Sequence, residues 1–454
     1  MENCIIGNLH LFRKSNNCFL FDGDSLRLFV LEDKNYHRLL KALECKSLNS
    51  INDELLNELK KEKLIFDNTE YEQKIKEIKN CDSVSNLTHL TLAISNDCNL
   101  NCRYCFGDGG TYHSDRKLMS IATAKKSIDF FVSNSGDAKV LSIIFFGGEP
   151  LLNYSVLKQV VDYCSDIEKK TEKRFKYSIS TNGTIVNNDI IDLIKSKNIS
   201  VTLSIDGPQE IHDLYRMYIN GTGSFETIRV NIDKLIGSSI KRLSGRATIC
   251  KGNSDVNIVE NAIRHLGLAS VHMTPVDVFK DSPLFMDDDA IERAIRGYCI
   301  IAEDYIEGIK LKKNERCKVF DDVLSVLYRK KLKLRSCGAA ISNIAVNAIG
   351  DIYPCHRFMG DKDYIIGNLD DGLFNDQVVI IAKLNVLNIK GCCDCWARFL
   401  CAGSCVHSRT KHSRIDHVMD YHCKLYKAFY EIALYVYFEL KQYDKDIFSH
   451  MDFI

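Results

Sequence analysis

Between His89 and Pro275 the chain alternates a short apolar run with an amphipathic stretch six times, and no other feature limits its fold so severely. The runs are His89 to Ser95, Val140 to Phe146, Phe175 to Ser180, Ser200 to Ile205, Arg246 to Cys250 and Ser270 to Pro275. Strands separated by helical stretches of this kind are the pattern of parallel βα units. Right-handed crossovers let six such units curl into a partial (β/α)6 barrel, whose ligands gather at the carboxyl ends of the strands. The fold class is therefore α/β, and the loops after those six runs are where function is expected.

The flanks divide further. Residues 1–80 form a small α+β module, opening with a hairpin whose Asp22-Gly23 turn separates Cys18-Phe19-Leu20-Phe21 from Leu26 to Leu31. Two helices follow, the first carrying Tyr36, Leu39, Leu40 and Leu43 and the second Leu55, Leu56 and Leu59, and Leu64-Ile65-Phe66 closes as a strand. This is a winged-helix pattern. Its 13 Lys and Arg against 14 Asp and Glu, with no basic recognition helix, argue for a peptide at an exposed strand edge and against DNA. Residues 87–280 are the barrel. Residues 285–335 read as two bridging helices with Ile291, Ile295, Cys299, Ile300 and Tyr305 on one core stripe, 336–425 as an irregular cysteine-dense domain, and 426–454 as an aromatic-rich closing helix. With 60 basic and 60 acidic residues, no nucleic-acid or membrane partner is expected. The start, Met1-Glu2-Asn3-Cys4, has no signal-peptide character and no long apolar run occurs, so the expected location is cytoplasmic.

In that compartment 19 cysteines point to metal ligation ahead of disulfides. Cys98-x3-Cys102-x2-Cys105 follows the first strand, and scattered cysteines would give such a triplet about 0.03 times in a chain of this length. Three thiolates at a barrel mouth hold a zinc ion, or a four-iron cluster with one iron left open. Gly147-Gly148-Glu149-Pro150 ends the second strand, Ser180-Thr181-Asn182-Gly183 the third and Ser204-Ile205-Asp206-Gly207 the fourth, followed by His212-Asp213-Leu214-Tyr215-Arg216. Each alone reads as a glycine-containing turn with a satisfied polar residue.

Together and in this order the motifs resemble the radical S-adenosylmethionine enzymes over about residues 87–280. The resemblance implies a 4Fe–4S cluster on Cys98, Cys102 and Cys105 whose open iron is chelated by S-adenosylmethionine. It implies Gly148 and Glu149 at the amino group, Ser180 and Asn182 at the ribose region, with Ser204 and Asp206 also on the cofactor site. Arg216 would meet the carboxylate, and Tyr104 and Phe106 would flank the adenine. One-electron reduction would release a 5′-deoxyadenosyl radical that abstracts a substrate hydrogen.

A second pattern runs Cys337-x12-Gly350-x4-Cys355, then Cys392-x2-Cys395-x5-Cys401-x3-Cys405, with Cys423 seventeen residues on. Seven cysteines exceed one tetrahedral zinc site. Their spacing resembles the SPASM extension of peptide-modifying members, which implies two auxiliary 4Fe–4S clusters and three in all. Cys392, Cys395, Cys401 and Cys423 would ligate one, and Cys337, Cys355 and Cys405 the other. Some SPASM proteins supply an eighth cysteine just before the first, but Lys331 to Ser336 holds none; Cys317 stands twenty residues upstream and Cys393 beside Cys392.

The resemblance extends to the thioether-forming branch of the ribosomal-peptide maturases, the ranthipeptide or SCIFF-like enzymes, partly through Cys105-Phe106-Gly107-Asp108-Gly109-Gly110-Thr111-Tyr112. It implies a precursor peptide held by the amino-terminal module, a flavodoxin or ferredoxin-type reductant, and a Cys sulfur-to-carbon crosslink as product. The rival expectations are a maturase that oxidises a Cys or Ser of a partner protein, forms a carbon–carbon bond or epimerises a residue, and a non-catalytic iron–sulfur redox protein.

Overall fold

The computed structural model describes residues 4–80, 86–268, 270–312, 317–374, 381, 384–412, 420–449 and 451. Part of the polar stretch from Cys81 to Asn86 lies outside the described residues.

The amino-terminal module is built from strands β1 (Cys4–Ile6), β2 (Leu9–Lys14), β3 (Asn17–Asp22) and β4 (Arg27–Leu31), helices α1 (Asp33–Cys45) and α2 (Asp53–Lys61), strand β5 (Ile65–Asp67) and helix α3 (Asn68–Asn80). The expected hairpin is β3 with β4, but β2 adds a third antiparallel strand and β5 returns to pair with β1. Helix α3, outside the sequence reading, completes the module. The run Cys18 to Phe21 is unbrokenly apolar because both faces of β3 are covered. Leu20 faces a local core with Leu39, Leu55, Leu59 and Leu64, whereas Phe19 and Phe21 join the main core of the molecule. Burying each such side chain stabilises by about 2 kcal/mol, so β3 fastens the module to the body.

Six parallel strands follow in sequence order: β6 (His89–Ser95), β7 (Val140–Gly147), β8 (Arg174–Thr181), β9 (Ser200–Ser204), β10 (Leu243–Ile249) and β11 (Ser270–Pro275). Helices α4 (Ile121–Ser133), α5 (Tyr154–Lys170), α6 (Asn188–Ser196), α7 (Gln209–Tyr215), α8 (Phe225–Gly237) and α9 (Val256–His265) occupy the crossovers. The capping of α4 shows how locally this is written, since Ser120 accepts from the Thr123 amide at 3.0 Å.

The sheet does not end at six strands. Strand β12 (Asn343–Val346) lies parallel to β6, with Val346 opposite Leu92, and β13 (Asp351–Tyr353), β14 (Gly367–Asn368) and β15 (Gly372–Leu373) extend it antiparallel to ten. The region expected to be irregular is thus partly a continuation of the barrel sheet. Its strands are only two to four residues long, too short to show a two-residue period.

Helices α10 (Asp288–Lys310) and α11 (Lys318–Arg329) form the expected bridge. One stripe residue is corrected: Ile300 is 44% exposed, and the buried face of α10 runs through Ile291, Ala294, Tyr298, Ile301 and Tyr305. The closing helix, Asp420–Tyr443, packs Phe429 edge-on against Tyr298 at 5.0 Å and Phe438 against Phe19 at 5.1 Å, joining bridge and amino-terminal module. Among the described residues, no helix is long and apolar enough to cross a membrane.

Candidate active site

The loops after β6, β7, β8 and β9 converge on one cleft of about 180 Å³ at the carboxyl end of the sheet. Cys98, Cys102 and Cys105 line it on the first loop, with Tyr104 and Phe106 between and beside them. The β7 loop sets how closely that cysteine loop can approach. A Cβ on Gly148 would stand 2.3 Å from the Asp97 carbonyl oxygen, and one on Gly147, whose φ is +140°, would stand 2.2 Å from the Ser95 carbonyl. Two bare backbones therefore pack face to face, and only glycine permits it.

Gly148, Ser180, Asn182 and Ser204 line the cleft, but Glu149 and Asp206 stand behind its wall. Glu149 is fully buried; its carboxylate accepts from the Leu151 amide at 3.0 Å, the Thr181 hydroxyl at 2.8 Å and the Asn182 amide at 2.7 Å. It fastens β7 to the β8 loop, leaving the Gly147–Gly148 backbone as the surface a ligand meets. Burial pushes its carboxyl up, opposed by those three donors. Asn182 in turn donates to the Asn99 side chain at 2.8 Å and to the Cys98 sulfur at 3.7 Å.

On the opposite wall Asp206 accepts from the Tyr104 hydroxyl and from the Thr248 amide at 3.0 Å. Arg216 donates to the same Tyr104 oxygen at 2.9 Å. Among the described residues its buried Nε meets no hydrogen-bond partner, although the residue lines the cleft. His212 holds this arrangement from behind. Its Nδ1 accepts from the Asp206 amide at 3.3 Å, so the proton sits on Nε2, which faces Ser224 Oγ at 3.0 Å, and Ser224 donates to the Arg216 carbonyl at 2.6 Å. Burial pushes the imidazole down to about 2, keeping it neutral.

Seven other cysteines fall into two further sets. Cys392, Cys395, Cys401 and Cys423 lie within electrostatic reach of one another, as do Cys337, Cys355 and Cys405. Burial, the largest cause, and neighbouring thiols push Cys355 and Cys423 up to about 12 and Cys392 to about 11, while burial drives Cys98 to about 12. Clustered thiols of this kind suit a cationic group, which deprotonates them on binding. Among the described residues, no three His, Cys, Asp or Glu side chains stand close enough to chelate one ion. Cys317 is buried at the start of α11 near Glu260 and Arg264, away from these sets, and Cys393 points its thiol to Asp394 at 3.4 Å.

Several cleft residues escaped the sequence reading. Tyr112 donates its hydroxyl to the Gly147 carbonyl at 2.9 Å and packs against Phe106. Phe106 also faces Phe146, and Arg357 lies over its ring at 5.0 Å. His356 and Arg357, directly after Cys355, reach the cleft, as do Arg246 and Thr248 of β10. The phrase from Cys105 to Tyr112 was legible as a unit; the lining from β10 and from the two residues after Cys355 carried no local signal.

An open parallel α/β barrel with a three-cysteine loop and an orphaned arginine nitrogen at the carboxyl ends of its strands defines a cofactor-dependent enzyme class. The family model of the radical SAM superfamily matches residues 92–262. The uncharacterized protein MJ0907 of Methanocaldococcus jannaschii is 34% identical over 314 residues, 68% of this chain and 96% of its own length. The solved structure of anSMEcpe with bound AdoMet and the Cp18Cys peptide superposes with a TM-score of 0.66 at 19% identity, over 78% of this chain and 99% of that one. SuiB of Streptococcus suis bound to precursor peptide SuiA gives 0.52 at 16%, over 91% of this chain and 98% of that one. The chain belongs to the radical SAM superfamily and is an enzyme of that family.

Proposed function

We propose that this enzyme modifies a ribosomally made precursor peptide, joining a Cys sulfur to a carbon of an acceptor residue as a thioether. One observation carries the reading: the loop of Cys98, Cys102 and Cys105 and the residues next to Cys355 line the same cleft. A peptide seated there lies between two cysteine sets.

In this reading Cys98, Cys102 and Cys105 hold one 4Fe–4S cluster, Cys392, Cys395, Cys401 and Cys423 a second, and Cys337, Cys355 and Cys405 a third. S-adenosylmethionine and the reduced first cluster together supply hydrogen-atom abstraction from a substrate carbon. The rest falls to the chain's own residues. The orphaned Nε of Arg216 has the charge and the vacancy for the cofactor carboxylate. The Gly148 backbone offers its edge to the amino group, Ser180 and Asn182 flank the ribose, and Tyr104, its hydroxyl pinned by Asp206 and Arg216, and Phe106 present rings to the adenine.

Residues 1–80 act as the precursor-recognition module. Strand β4 is an outer strand of the β2–β3–β4 sheet and exposes Val30, a fit for a peptide added as a further strand. A flavodoxin or ferredoxin-type protein delivers the electron. The alternative is oxidation of a Cys or Ser in a partner protein.

The test is anaerobic incubation of the reconstituted enzyme, reductant and S-adenosylmethionine with any short cysteine-containing peptide found encoded beside its gene. A thioether removes two hydrogens and one alkylatable thiol while the product keeps its sulfur. Unchanged mass, or a product that loses sulfur, rejects it.

A further inference from the structure

Arg246 enters the cleft from the middle of β10, opposite Ser204 on β9 and His272 on β11. Among the described residues its guanidinium meets no hydrogen-bond or ion-pair partner. The facing cation, Arg357, is neutralised: its Nη2 donates to Asp277, the one carboxylate among the described cleft-lining residues. Asp277 also accepts from the Ser408 hydroxyl at 2.8 Å, and His407 stands 3.5 Å away. The remaining neighbours on this side, Thr202, Ser204, Thr248 and Thr274, carry no charge. Arg246 therefore joins Arg216 as a cleft cation with no ion-pair partner among the described residues, and its exposed guanidinium is open to an anionic ligand.

Its position narrows what would balance it. Arg246 lies within electrostatic reach of Tyr104 on the cofactor side and of Cys405 on the other, so it stands between two cysteine sets. The cofactor carboxylate already has a separate guanidinium in Arg216. A planar guanidinium donates two parallel hydrogen bonds to a carboxylate, a match that neither an amide nor a hydroxyl reproduces.

We propose that Arg246 selects the substrate by binding a carboxylate side chain at or beside the acceptor residue, so that the modified peptide carries Asp or Glu at that place. The inference rests on the peptide reading above and adds the chemistry of the residue recognised. Arg246 is a specificity-determining residue in this scheme, fixing which carbon faces the abstracting site.

The experiment titrates two probes, acetyl-Gly-Asp-Gly-amide and acetyl-Gly-Asn-Gly-amide, into the reconstituted holoenzyme saturated with S-adenosylmethionine. The wild-type protein should bind the Asp probe about tenfold more tightly, the scale of one charge-assisted pair. Arg246→Gln should erase that preference, Arg246→Lys should keep part of it, and affinity for S-adenosylmethionine should hold within twofold. Absence of preference in the wild-type protein overturns the proposal. So does a large loss of S-adenosylmethionine affinity in Arg246→Gln, which would give Arg246 to the cofactor. A shifted potential of the Cys337, Cys355 and Cys405 centre with the preference intact would give it to that centre and equally overturn the proposal. An intact preference alongside failure to modify any precursor would reject peptide maturation alone.

Discussion

Asp24, in the turn after β3, and Arg398, six residues after Cys392, form a buried ion pair across 374 positions of sequence. Arg398 also donates to the Cys393 carbonyl and to the Tyr71 hydroxyl, the latter at 3.1 Å. The Asn8 side chain donates to the Cys395 carbonyl at 2.9 Å, and the His10 ring stacks on Trp396 at 3.9 Å. The amino-terminal module therefore covers the loop that carries Cys392 and Cys395.

Replacing Asp24 by Ala leaves a buried guanidinium with only neutral partners, a loss of about 3 kcal/mol. Thermal unfolding should shift down accordingly, and on the proposed cluster assignment iron held by the Cys392 set should be stripped faster by a chelator. Retained melting temperature and stripping rate would show the pair to be incidental.

Changing Cys98, Cys102 and Cys105 together to Ala should abolish reductive cleavage of S-adenosylmethionine. The proposed assignment keeps the other two sets separate, so on it iron content should fall by about one cluster of three. Deoxyadenosine release by the triple variant would refute the assignment of that loop.

Gly148→Ala forces a methyl against the Asp97 carbonyl, at a cost of about 2 kcal/mol and with the cysteine loop displaced. Affinity for S-adenosylmethionine should fall at least tenfold. Gly237→Ala, at the end of α8 with open space around its Cβ, is the matched control and should leave affinity unchanged. Equal behaviour of the two variants would contradict the packing argument.

His212 sets a pH dependence of stability. Its folded-state value lies near 2, well below the ordinary 6.5, so the unfolded chain binds the extra proton. The contribution is fully present above about pH 6.5 and is lost on acidification by about 1.4 kcal/mol per pH unit. Between pH 7.5 and 5.5 this group's share of the loss sums to about 1.4 kcal/mol, read from urea midpoints, and His212→Gln should remove that share while His356, also held low by burial, keeps its own. A variant with the wild-type slope would show that His212 does not carry it.

The barrel was legible because each strand is an apolar run between amphipathic helices. The cysteine sets were legible because ligand spacing is local in sequence. The cleft's other side was not. Arg246 looks like any strand arginine until β10 is folded against β9, and Asp277 acquires its role only through Arg357 and Ser408. Glu149 shows the converse: its motif announced a functional residue, but only the fold distinguishes a carboxylate that faces the ligand from one that fastens two loops. The partnership of Asp24 with Arg398 has no sequence signature, since long-range burial leaves none.

Strand β12 makes the cysteine-rich region a stave of the barrel. The loop bearing Cys98 leaves β6, Cys355 follows β13, and only β12 stands between these two strands in one hydrogen-bonded ladder. The gap between the two loops is therefore set by backbone pairing, with no hinge inside that ladder to widen it. Electron tunnelling between groups held there would cross a fixed span, and grafting the cysteine-rich region onto another scaffold would require the first barrel strand to travel with it.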